Sequence, residues 1–179
     1  MPDKHLMIAV DWYGPYINIS DAKENARNDY DDGLYICIGK RAHERKRRLQ
    51  YIGLSERLFT RLSINHHKLS DVEREVEFWL GEIATAEPSG RKLKVTRQTL
   101  DMTEWLHARF LELPLNNKKR KGLPYRSATV LNRWWKCDYD NPRRRRPHSS
   151  WPDLIDYPGC SLPVRLVWFG QKQRIISNI

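Results

Sequence analysis

Apolar residues in this chain come in short bursts, and that limits what it can become. The longest, such as Leu6-Met7-Ile8-Ala9-Val10, run for only a few residues. None approaches the roughly 20 apolar residues that cross a bilayer as a helix. Bursts this short, broken by glycine, proline and charge, suit strands and modest helices. With 40% of residues apolar and 11% aromatic, the composition is far from that of a disordered chain. The 179 residues suffice for one domain with a real core and an appended module. The opening, Met1-Pro2-Asp3-Lys4-His5, has neither the basic start nor the apolar stretch of a secretory signal, so a cytoplasmic location is expected. Three widely spaced cysteines, Cys37, Cys137 and Cys160, make neither a disulfide framework nor a C-x-x-C zinc site.

Read along the chain, Leu6 to Val10 is a strand, and Gly14-Pro15 predicts a turn after it. Asp21 to Asn28 reads as a polar helix. Leu34 to Ile38 and Leu49 to Ile52 read as an antiparallel strand pair joined by a basic loop. Leu58 and Leu62, four apart, predict a helix over 55–69. Val76, Phe78 and Leu80 alternate as a third strand. Met102, Leu106 and Phe110 predict a second long helix over 97–112. Beyond Pro114 the character shifts to a basic linker, a β-like stretch from Ser127 to Trp135, an Arg-rich loop and a last hairpin near Gly170. The order predicts a mixed α/β (α+β) fold. The expected division is a core over 1–122 and a basic, β-rich C-terminal module over 123–179.

Charge is concentrated. Lys and Arg number 32 against 22 Asp and Glu, a formal net charge of +10. Residues 40–49 hold six basic residues against one acid, and 117–146 hold eleven against two. Two dense basic runs on an otherwise mildly acidic body point to a polyanionic partner. Arg143, Arg144, Arg145 and Arg146, with Trp134, Trp135 and Trp151 around them, suit nucleic-acid contact. The tryptophans serve equally well as the core of the tail.

The informative stretch runs from Gly33 to Asn116. Gly33-Leu34-Tyr35 opens one strand and Tyr51-Ile52-Gly53 closes the next. Arg61 follows on the first helix, Glu104 lies on the second, and Asn116 comes after Pro114-Leu115. Phosphodiester hydrolysis needs an activated water, a cation for the charge developing on phosphorus, and a metal for the leaving oxygen. Tyrosine titrates near 10 and can serve as base if its phenolate is stabilised. Arginine offers a forked donor that matches phosphate oxygens. Glu104 has Leu100, Ala108 and Leu111 as its helical neighbours, and a carboxylate on so apolar a face needs a partner or a metal. Singly, each residue has an ordinary structural reading: strand tyrosines pack, and Arg61 with Arg57 and Lys68 forms a solvated basic stripe.

Together, in this order, they resemble the GIY-YIG nuclease family. The resemblance implies a small antiparallel three-stranded sheet flanked by helices, here carrying a β-rich C-terminal extension. It implies a DNA endonuclease, and the compact length suits a restriction or defence type. A non-catalytic nucleic-acid-binding protein on the same fold, or a repair or recombination nuclease, are the alternatives. Tyr35 is then the expected general base, Tyr51 orients water or phosphate, Arg61 stabilises the transition state and Glu104 holds Mg2+ or Mn2+. Gly53 and Asn116 are supporting residues. Arg57, Lys68, Lys118, Lys119 and Arg143 to Arg146 are expected to contact DNA, most simply duplex DNA bound by a homodimer. The family's usual histidine slot, four residues after the arginine, is Asn65 here. His66 in a regular helix would be turned about 140° away from Arg61. Either the helix ends near Asn65 and His66 swings back as a proton shuttle, or no histidine, His67 included, takes part.

Overall fold

A computed structural model describes residues 4–30, 32–63, 66, 68–85 and 97–177. The elements are β1 (Leu6–Tyr16), α1 (Ile19–Asp29), β2 (Gly33–Lys40), β3 (Arg48–Ser55), α2 (Leu58–Arg61), β4 (Arg74–Ile83), α3 (Arg97–Phe110), β5 (Ala128–Trp135), β6 (Leu154–Tyr157), β7 (Val164–Trp168) and β8 (Lys172–Ile176). The strands form a single sheet in the order β3-β2-β4-β1-β5-β6-β7-β8. This corrects the expectation of a small three-stranded sheet flanked by helices: the fold is mostly β, an eight-stranded curled half-barrel with three short helices. No helix among the described residues is long and apolar enough to cross a membrane.

The enlargement comes from β1. Gly14-Pro15 does not end the strand as a turn; a register shift between Tyr13 and Tyr16 carries the chain onward as a bulge. The lengthened β1 pairs antiparallel with β4 on one side and parallel with β5 on the other. Strands from both ends of the chain therefore share one sheet, and β1 to β5 pairing runs from Leu6↔Ala128 to Tyr13↔Trp135.

Side chains alternate between two cores, as strand pleat requires. Leu34, Ile36 and Ile38 of β2 point to the face covered by α3, with Trp12, Trp79, Trp134 and Trp151. Tyr35 and Cys37 point to the other face, under α1 and α2, with Leu58, Leu62 and Leu80. The tail tryptophans Trp134 and Trp151 are thus core, with Trp151 wholly buried.

The helix expected over 55–69 is a single turn. The Leu62 N–H bonds the Leu58 carbonyl at 3.0 Å, after which Leu62 is extended (φ −75°, ψ 109°). One turn already buries both leucines, so their four-residue spacing is satisfied without a longer helix.

Candidate active site

The pairing register brings the two tyrosines together. Tyr35 lies opposite Gly53, and Tyr51 opposite Cys37. The phenols are therefore diagonal neighbours on one face, with ring centroids 5.9 Å apart. Gly53 is what lets the Tyr35 ring lie across β3, since a Cβ there would sit 2.4 Å from the Tyr35 Oη. Arg61, at the end of α2, reaches both phenols with its guanidinium.

The early end of α2 decides the histidine. His66 returns under the sheet, buried, with Nε2 2.9 Å from Tyr35 Oη and its ring 5.5 Å from that of Tyr51. The Lys68 backbone N–H donates to His66 Nδ1 at 3.3 Å. That makes Nδ1 the acceptor and leaves Nε2–H to donate to the Tyr35 oxygen. Asn65 and His67 lie outside the described residues. Burial first, and the neighbouring Tyr51 second, push the Tyr35 phenol well above the ordinary tyrosine range, against the pull of Arg61. The resting group is a neutral phenol.

Beside the tyrosines opens a cleft of 450 Å³ lined by Tyr51, Lys68, Glu104, Asn116, Lys118 and Lys119, among others. Glu104 projects into it from α3. Its carboxylate is ion-paired with the Lys119 ammonium, which also bonds Asp101 Oδ1 at 2.6 Å. Burial raises the Glu104 carboxyl above its usual value, and Lys119 opposes that rise. Asn116 closes the cleft floor: its Oδ1 accepts the Ile52 N–H at 2.9 Å and its Nδ2 donates to the Ile52 carbonyl at 2.8 Å. Lys68 donates to the Leu115 carbonyl at 3.0 Å, pinning the same segment.

Tyr35, Tyr51, Arg61 and His66 form one cluster, and Glu104 and Asn116 share a cleft with Tyr51. Arg57 is exposed just before α2 and Lys118 is exposed on the cleft rim. Lys119, expected to contact DNA, is ion-paired with Glu104 and Asp101. Asp101 was missed by sequence reasoning, although it lies three residues before Glu104 and hence on the same helical face. The four arginines of 143–146 do not join the cluster: Arg143 lies over Trp79 on the opposite face, and Arg146 pairs with Asp153 at 2.5 Å. In the first basic run, Lys40, Arg41, Arg47 and Arg48 pair with Glu75, Glu44, Glu77 and Glu44 respectively.

Comparison with protein families, with curated proteins and with solved structures finds no match to this chain.

Glu104 and Asp101 carry the oxygen donors that Mg2+ or Mn2+ prefers, and in this structure both hold the Lys119 ammonium. Among the described residues no group of three or more His, Cys, Asp or Glu converges. A cation bound at Glu104 would then keep much of its shell as water, in the manner of Mg2+.

Proposed function

We propose that this chain is a Mg2+- or Mn2+-dependent DNA endonuclease hydrolysing phosphodiester bonds, of restriction or defence type. The observation that carries the reading is the meeting of two strand phenols, Arg61 and His66 beside a cleft that holds the Glu104 carboxylate. The order of these elements, similar to that of GIY-YIG nucleases, supports it, and so does the +10 charge.

A metal held by Glu104 would act as a Lewis acid toward the leaving oxygen. The chain's own groups do the rest. Arg61 offers its fork to the non-bridging phosphate oxygens, where negative charge grows. Tyr35 takes the proton of the attacking water once it is a phenolate, and the His66 Nε2–H and Arg61 stabilise that phenolate by donating to it. Tyr51 orients the water or the phosphate from the cleft wall. Arg57 and Lys118 hold the flanking backbone of duplex DNA, which a homodimer would cut on both strands. A cytoplasmic location fits this chemistry.

A non-catalytic binder on the same fold is the second reading, favoured by one observation: Lys119 neutralises Glu104 in this state. Nicking of supercoiled plasmid in Mg2+ separates the two. The wild-type chain should nick, and Glu104→Gln should bind DNA as well while cutting at no measurable rate. A wild-type chain that binds without nicking would establish the binder; a Glu104→Gln variant that cuts normally would remove Glu104 from the site.

A further inference from the structure

The Arg-rich loop and the tyrosine cluster occupy different faces of the sheet. Arg143 sits 5.2 Å from the centre of the Trp79 ring, and Trp79 packs in the α3-side core, whereas Tyr35 packs in the other. The Arg143 N–H bonds the Trp134 carbonyl at 2.9 Å, which hangs the loop from β5. Arg146 is anchored to Asp153, whose carboxylate also accepts the Phe169 N–H at 2.7 Å. Asp138 fixes the loop's other end, accepting the Asn141 N–H at 3.0 Å. Three arginines are thereby presented on a held backbone. Arg144 and Arg145 stand exposed, with no ion pair among the described residues. Arg143, Arg144 and Arg145 line two grooves at once, of 630 Å³ and 470 Å³, and so form the ridge between them.

The first basic run touches the Arg-rich loop at one point. His148 Nε2–H donates to the Arg47 carbonyl at 3.0 Å, which sets the 40–48 loop against the Arg-rich one. Where most cations of that loop are paired with glutamates, Arg45 and Lys46 are exposed at its tip. Lys136 extends the surface on the other side.

We infer that this ridge is a second nucleic-acid surface, which holds the phosphate backbone of a DNA duplex segment other than the one in the cleft. The inference rests on the cleft taking DNA, as proposed above. The chemistry selects backbone over bases. Trp79, Trp134 and Trp151 are buried, leaving Phe169 as the exposed ring in the grooves, whereas a single-strand platform stacks successive bases on successive rings. Arginine forks match phosphate oxygens, and clustered cations release counterions from duplex DNA. The sheet lies between ridge and tyrosines, so each surface takes its own segment.

The test counts bound duplexes by sedimentation in EDTA, with a duplex of about 12 bp, roughly one helical turn. The proteins are wild type, R143A/R144A/R145A and R57A/K118A, all substituted at exposed positions. A duplex this short fills one cleft only, so two duplexes per wild-type chain and one on each variant are expected whether or not the chains pair. The arginine variant should also flatten the log–log salt dependence by up to about 3, at ~0.9 per lost phosphate contact. One duplex per wild-type chain, weakened alike by both variants, would overturn the inference, because a single footprint would then span both regions. An arginine variant that binds as wild type does would also overturn it, and leave the cleft intact. One duplex, lost only in the arginine variant, would uphold the ridge and sink the cleft reading. Preference of the ridge for a single strand of the same sequence would overturn the duplex assignment.

Discussion

Around Tyr35 Oη the structure gathers hydrogen-bond donors, the His66 Nε2–H at 2.9 Å and the Arg61 guanidinium. A buried phenol so placed becomes a base only as it ionises, so cleavage should climb with pH beyond the histidine range instead of levelling near 6.5. Tyr35→Phe should slow single-turnover cleavage by roughly 10²–10⁴-fold with the fold intact. His66→Ala removes one donor from the phenolate and should move the alkaline limb to higher pH; a limb that stays put would detach His66 from Tyr35. Lys119→Ala removes the cation that competes for Glu104, so Mn2+ titration followed by electron paramagnetic resonance should show tighter binding than in wild type. The meeting of Tyr35, Tyr51 and Arg61 was legible because two adjacent strands followed by a short helix bring those positions together. The His66–Tyr35 bond was not, since it depends on where a helix stops. The Lys119 pairing was hidden as well, because a lysine in a basic linker looks the same whether it meets phosphate or carboxylate.

At the scale of elements, β3 is an edge strand, and the polar groups of its outer edge need partners. Asn116 supplies two, bonding both the N–H and the carbonyl of Ile52, while the Leu115 N–H bonds the Gln50 carbonyl at 3.1 Å. The Pro114-Leu115-Asn116 segment thus acts as a stand-in strand, and it holds the Tyr51 side of the cleft at a fixed width. Asn116→Ala would leave two buried backbone groups unsatisfied and should destabilise the protein by about 2–4 kcal/mol in urea titration. Asn116→Asp should fare little better, since a carboxylate cannot donate to the Ile52 carbonyl. Strand pairs and α3 were readable from periodicity that extends over several residues. The helix over 55–69 was over-read from a single leucine pair. The passage of β1 through Gly14-Pro15 escaped because a bulge and a turn draw on the same residues; here Gly14 leaves room for the Trp79 ring, which a Cβ would approach to 2.8 Å.

Taken whole, the molecule is joined across the α3 side by a buried polar knot. The His107 ring lies between the Thr103 carbonyl, 2.8 Å from Nδ1, and Asn132 Oδ1, 3.1 Å from Nε2, and Trp12 Nε1–H donates to the same oxygen at 2.8 Å. Burial lowers the His107 pKa from 6.5 to about 4. Above pH 6.5 neither state takes up the proton; below it the unfolded chain does and the folded one resists. Stability should therefore fall from about pH 6.5 to about pH 4, by on the order of 3 kcal/mol from this group, and level off beneath. Urea midpoints at several pH values check this, and His107→Gln should remove that share of the slope. The knot also ties α3 to β1 and β5, whose parallel partnership joins residues such as Asp11 and Arg133, 122 positions apart. A ribosome adds about 5–20 residues each second. Strand β1 therefore leaves it on the order of ten seconds before β5 exists, with Val10 and Trp12 uncovered and one edge open to any passing strand. For that interval the place that β5 will take at the centre of the sheet stands open to association with other chains.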